Sequence, residues 1–159
     1  MELITNAVEG GLTPKRSKGF AKVVASLLMG LGALVCASAG AQDMEAISQA
    51  KAAATAWLAL VDAGNYAGSW EQSAGLFKAA LSQSAWVSAA QAKRAPLGAL
   101  KLREVNSTAF TLKMPDSPDG EYVGIMYASQ FENRANATEI VTPVREKDGS
   151  WRVSGYDIR

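Results

Sequence analysis

Two kinds of periodicity divide the chain. Between about residues 44 and 63, Ile47, Ala50, Ala54, Trp57 and Val61 recur at three or four positions, the spacing of one helical face. Gly64 follows as a left-handed stop. Tyr66, Trp70, Ala74, Phe77 and Leu81 make a second helical stripe over about 66–80. A third helix over about 83–94 carries Trp86 and ends before Pro96, with a kink expected near Ser82. Beyond Pro96 the pattern changes. Residues 99–114 read as one long strand, or two, interrupted near Asn106. Residues 121–132 alternate large and small side chains with period two. Strands over 137–147 and 151–158 complete the set, with turns at 115–120, 133–136 and 147–150. Asp148-Gly149 suits the positive φ of a two-residue type I′ turn. Pro143 lies inside a strand pattern and requires a bulge or an unpaired edge there.

Helices first and strands afterwards predict an α+β domain, with N-terminal helices packed on a curved antiparallel β-meander. Trp57, Trp70, Phe77, Trp86, Phe131, Trp151 and Tyr156 are its expected inter-layer core.

The first forty residues follow a different logic. Lys15-Arg16-Ser17-Lys18 is a basic cluster, Val23 to Val35 is apolar, and Cys36 to Ala41 are small. Ala39-Gly40-Ala41 fits the small-x-small rule for signal peptidase. The expectation is a signal peptide over residues 1–41, cut after Ala41, and a single domain over 42–159 in the periplasm or secreted. The alternative is a retained transmembrane helix, since Val23 to Ala41 is a 19-residue uncharged stretch. Either way the basic end stays inside and the domain outside. The membrane is met only through this segment during export.

Charge and composition narrow the chemistry. The chain of 159 residues has a net charge of +1, and the part after residue 41 holds 12 Lys and Arg against 13 Asp and Glu. A near-neutral domain with scattered signs lacks an electrostatic footprint for nucleic acid. There is no histidine, and the single cysteine, Cys36, lies in the leader. Ser-His-Asp chemistry, a thiol nucleophile in the mature domain and His/Cys metal ligation are therefore excluded. No cofactor is implied, and no catalytic residue is identified. What remains is carboxylate, Tyr, Lys, Arg and Ser/Thr.

Arg103 and Glu139 stand out because both lie within strand patterns. Pointing inward, they form a buried pair able to orient a polar ligand. The alternative is a purely structural ion pair, or two solvated strand residues. Tyr127 and Tyr156 could place hydroxyls in a pocket, or serve as half-buried packing. These four are the candidate binding residues. Arg94 is expected to cap the last carbonyls of its helix, and Asp62 to bond a loop amide.

Across about residues 45–159 a set of motifs resembles the bacterial domain of unknown function 4019. They are Trp57-Leu58, Asp62-x-Gly64-x-Tyr66, Trp70, Trp86, Arg94-x-Pro96-Leu97-Gly98, Arg103, Pro118-Asp119-Gly120-x-Tyr122-Val123, Tyr127-x-x-x-Phe131, Glu139-x-Val141-Thr142 and Asp148-Gly149-x-Trp151-Arg152-Val153-x-Gly155-Tyr156. The resemblance implies a short secreted or periplasmic protein and a cone-like, nuclear transport factor 2-like (cystatin-like) fold. That fold hosts isomerases, dehydratases and non-catalytic binding domains, so it selects no activity. Two functions are compared below. One is a non-catalytic binding or interaction domain, with a homodimer through a sheet face as one form of it. The other is a cone-fold enzyme using Tyr and carboxylate.

Overall fold

The computed structural model describes the backbone of residues 18–159 and the side chains of residues 40–159. The leader expected over residues 1–41 falls, except for Gly40 and Ala41, outside the described side chains. Residues 40–159 form one compact unit. The chain runs through α1 (Lys18–Asp62), α2 (Tyr66–Gln72), α3 (Gly75–Ala80), α4 (Gln83–Arg94) and a 3₁₀ turn (Ala95–Leu97). It continues into β1 (Leu100–Thr111), β2 (Tyr122–Phe131), β3 (Arg134–Arg145) and β4 (Trp151–Ile158). The four strands form an open antiparallel meander in the order β1-β2-β3-β4, so the architecture is α+β.

Local chemistry explains the helix boundaries. α1 ends in paired bonds, Asn65 N–H to Leu60 C=O at 2.9 Å and Gly64 N–H to Val61 C=O at 3.0 Å. That motif requires a left-handed residue, which Gly64 supplies at φ 72°. Asn65 then caps α2, its side chain accepting from Gly68 N–H at 3.0 Å. The single helix expected over 66–80 is instead two, broken at Ser73 and Ala74 in addition to the expected break near Ser82, which caps α4. The Ala74 N–H leaves the helix to donate to Val153 C=O of β4 at 2.8 Å, and Ser73 Oγ accepts from the Trp57 indole. Two tertiary hydrogen bonds thus outweigh alanine's helix preference over this short span.

The strands lie where alternation placed them, with shifts in their ends. β1 carries irregularities between Leu100 and Leu102 and between Val105 and Ser107, the second at the expected Asn106. β3 begins at Arg134, because Arg134 pairs directly with Phe131 and the turn is shorter than the polar run suggests. Pro143 sits at a register shift in an interior strand, the bulge its missing N–H demands. The β3–β4 turn is not type I′. Gly149 has φ 84°, but Asp148 does not take positive φ. Asp148 instead accepts from the Ser150 N–H at 2.9 Å, so a three-residue loop with glycine last joins the strands.

One sheet face, including Val123, Ile125, Tyr127, Val141 and Val153, packs with Ala50, Ala54, Trp57, Leu58, Phe77, Trp86 and Ala90 of the helices. Trp57 is the hub. Its ring lies 5.6 Å from Trp86, 5.3 Å from Tyr156 and 6.2 Å from Phe77. Both indole donors of the buried pair are satisfied by α2, Trp57 Nε1 at Ser69 C=O (2.8 Å) and Trp86 Nε1 at Ser69 Oγ (2.9 Å). Of the expected aromatic core, Trp57, Phe77, Trp86, Phe131 and Trp151 are buried, while Trp70 and Tyr156 are partly buried. On the opposite sheet face, Met126, Ile140 and Thr142 remain partly exposed.

Candidate functional site

Polar alternation within β2 and β3 places Ser129 and Glu139 on the face that carries Tyr127 and Val141. Glu139 stands directly opposite Tyr127 in the β2–β3 register, and Arg103 of β1 stands opposite Ser129. On α4, Trp86, Ala90 and Arg94 follow one another at four residues and are all buried, so the helix that plants Trp86 in the core carries Arg94 in with it. Asp62 arrives from the last turn of α1.

These residues converge into one ion cluster. The Glu139 carboxylate is fully buried and accepts five hydrogen bonds. Its Oε1 accepts from Arg94 Nη1 at 2.9 Å, Arg103 Nη2 at 3.1 Å and Tyr156 Oη at 2.8 Å. Its Oε2 accepts from Arg103 Nε at 2.7 Å and Ser129 Oγ at 2.6 Å. Asp62 binds the same guanidiniums from the outer side. Arg103 donates Nη1 to Oδ2 at 2.7 Å and Nη2 to Oδ1 at 2.9 Å, and Arg94 Nη2 also donates to Oδ1. Arg94 further rests over the Phe131 ring, 4.5 Å from its centroid. Two guanidiniums thus meet two carboxylates, and the cluster is neutral as a whole.

The protonation equilibria follow. Burial alone would lower the Arg103 pKa, but hydrogen bonds to Asp62 and Glu139 and their charges reverse this and hold it above the ordinary guanidinium value. Burial, followed by the Glu139 charge, pushes Tyr156 well above the ordinary phenol. Burial likewise raises Tyr127. Tyr127 differs in one respect: its hydroxyl is buried with no hydrogen-bond partner. Thr55 of α1 stands close to it but donates its own proton to Lys51 C=O at 2.9 Å.

The structure therefore brings together three of the four candidates, Arg103, Glu139 and Tyr156, and leaves the Tyr127 hydroxyl beside them unbonded. Arg94 and Asp62 carry different roles from those expected. Arg94 does not cap its own helix, and Asp62 bonds guanidiniums rather than a loop amide. The four-residue spacing from Trp86 to Arg94 was the available signal for the first. For Asp62 the sequence offered none, because its partners lie 32 and 41 positions away.

Beside Asp62 and Arg94 lies a cleft of about 350 Å³, bordered also by Gly64, Tyr66 and Gly98. Gly64 and Gly98 both hold positive φ, and a side-chain carbon on Gly64 would meet nothing within 4 Å.

The family model described as protein of unknown function (DUF4019) matches residues 53–156, a span that contains the whole ion cluster. No curated protein and no solved structure matches the chain. The matched span covers most of the chain, with Asp62, Arg94, Arg103 and Glu139 inside it, and the protein belongs to the family of proteins of unknown function DUF4019.

Proposed function

We propose that this is an exported protein whose domain serves outside the cytoplasm as a non-catalytic binding or protein-interaction module. The basic cluster, apolar run and small-residue site of the first forty-one residues support export. One observation carries the non-catalytic reading: the Tyr–carboxylate pair needed for acid–base work is already fully engaged. Tyr156 Oη lies 2.8 Å from Glu139, but Glu139 has no exposure and both its oxygens are occupied by fixed donors. A carboxylate so held has no lone pair facing a substrate, and Trp57, Phe77 and Trp86 pack in the core against the same sheet face. The partly exposed sheet face with Met126 and Ile140 is where a second copy would pack in a homodimeric form.

Expressing the full reading frame in a Gram-negative host and fractionating the cells tests the reading. The expected product is extracytoplasmic, with a mass beginning at Gln42. Full-length chain confined to the cytosol would overturn export. Light scattering of the same material reports its assembly.

A further inference from the structure

The ion cluster has an inner and an outer half that differ in kind. Glu139 is sealed, whereas the Asp62 side chain keeps 21% of its exposure and faces the cleft of about 350 Å³. Asp62 is also in an electrostatically poor place. It ends α1, where the exposed carbonyls repel an anion and would favour a cation. It is held there by two guanidiniums, one of which, Arg103, presents two parallel N–H donors at 2.7 and 2.9 Å. That fork matches any carboxylate, not only a side chain of this protein. Arg94 and Arg103 are buried to 5% and 12% exposure, so neither can turn to water for a replacement.

We infer that the Arg94–Arg103 pair is a receptor for a carboxylate-bearing ligand, in which Asp62 is an internal stand-in that an external carboxylate displaces from the cleft side. This deepens the binding-domain reading and rests on it. Asp62 is the last residue of α1 and is followed by Ala63 and the left-handed Gly64, so it can withdraw without disturbing the aromatic core. At Gly64 the rim is open, since a side-chain carbon there would meet nothing within 4 Å, and this leaves room for a ligand larger than acetate. The fork already holds a carboxylate through both its oxygens at 2.7 and 2.9 Å, and this geometry sets the chemical class.

The test is chemical rescue, followed by thermal unfolding of protein made from the full reading frame. Asp62→Ala leaves two buried guanidiniums with one carboxylate and should lower Tm by about 6–12 °C. Acetate should then restore stability saturably over sodium chloride of equal ionic strength, by about 4 °C at ten times its dissociation constant. The wild-type protein should need at least tenfold more acetate, because Asp62 competes. If Asp62→Ala does not fold, Asp62→Asn, which keeps one acceptor, takes its place in the same titration. N-Acetylalanine, the smallest mimic of a peptide C-terminus, is titrated beside acetate. Tighter binding of it assigns the site to a chain end, and tighter binding of acetate to a free small acid.

Equal responses of wild type and variant, or no response beyond chloride, would overturn the receptor while leaving the export and assembly measurements untouched. Stronger rescue by sulfate than by acetate would overturn the carboxylate class.

Discussion

Removing the Glu139 carboxylate is the sharpest test of how the cluster works. In Glu139→Ala, Arg94 and Arg103 must share Asp62, which also faces solvent, and Ser129 and Tyr156 lose their acceptor. Breaking a buried ion pair from one side costs about 3–5 kcal/mol, because the stranded charge is not rehydrated. A domain of this kind has about 5–15 kcal/mol in total, so the variant should be near its limit. With a urea m-value of about 2 kcal/mol/M, the midpoint should fall by about 2 M, read by tryptophan fluorescence. The decisive comparison is Arg103→Ala/Glu139→Ala. Removing both partners leaves the neutral Arg94–Asp62 pair, so the double variant should cost at least about 1.5 kcal/mol less than the sum of the single variants. Additivity within about 0.5 kcal/mol, or a cost below about 1 kcal/mol for Glu139→Ala, would refute the claim that these charges act as one unit.

Other perturbations probe separate parts of the same structure. The folded-state pKa values of Tyr156 and Tyr127 are raised, so their contribution is complete below the ordinary phenol value near 10 and is lost as pH rises beyond it. Absorbance titration should therefore show Tyr127 and Tyr156 ionising late and together with unfolding, and Tyr156→Phe should remove one of these late steps. Asp157, bonded to Arg159 and Lys93, has its pKa lowered to about 2, so its contribution is complete above about pH 4 and fades as pH falls toward 2. It is partly exposed, so Asp157→Asn should cost less than about 1 kcal/mol at pH 7 and clearly less than that at pH 2, measured by urea unfolding at both. Gly64→Ala meets open space and should cost about 1 kcal/mol from its φ of 72° alone. Gly98→Ala adds a 2.9 Å approach to Glu132 Cβ and should cost clearly more by the same assay.

What the sequence revealed followed from local regularities. The helical stripe through Trp57 and the alternation of 121–132 located α1 and β2, because burial of one face imposes those periods whatever the partner. Pro143 announced its bulge by the N–H it lacks. The misreadings share a cause. The break at Ser73, the two-residue turn expected at Asp148 and the cap expected from Arg94 were each judged on neighbours in the chain. Two were decided by a distant group, Val153 C=O and Glu139, and the turn by the alternative closure of Asp148 onto Ser150. Arg103 and Glu139 could be singled out because charge is rare inside strands. That they share Asp62 could not, since nothing local marks a carboxylate at a helix end as one half of a long-range pair.

The same long-range character explains why the cluster is placed where it is. Aromatic packing around Trp57 fixes the helices on the sheet, but ring contacts tolerate sliding and rotation. The fork of Arg103 does not, since a shift of an ångström breaks two bonds to Asp62 and two to Glu139 together. The cluster joins the end of α1, the end of α4, the edge strand β1 and the interior strand β3, four elements otherwise connected through apolar surface. It therefore acts as a register pin for the helical layer; a ligand carboxylate in place of Asp62 would keep the links among α4, β1 and β3 and release the end of α1. An anion bound at this point stabilises the protein without reshaping its core, which is why stability rather than turnover is the quantity in which such a ligand would first be detected.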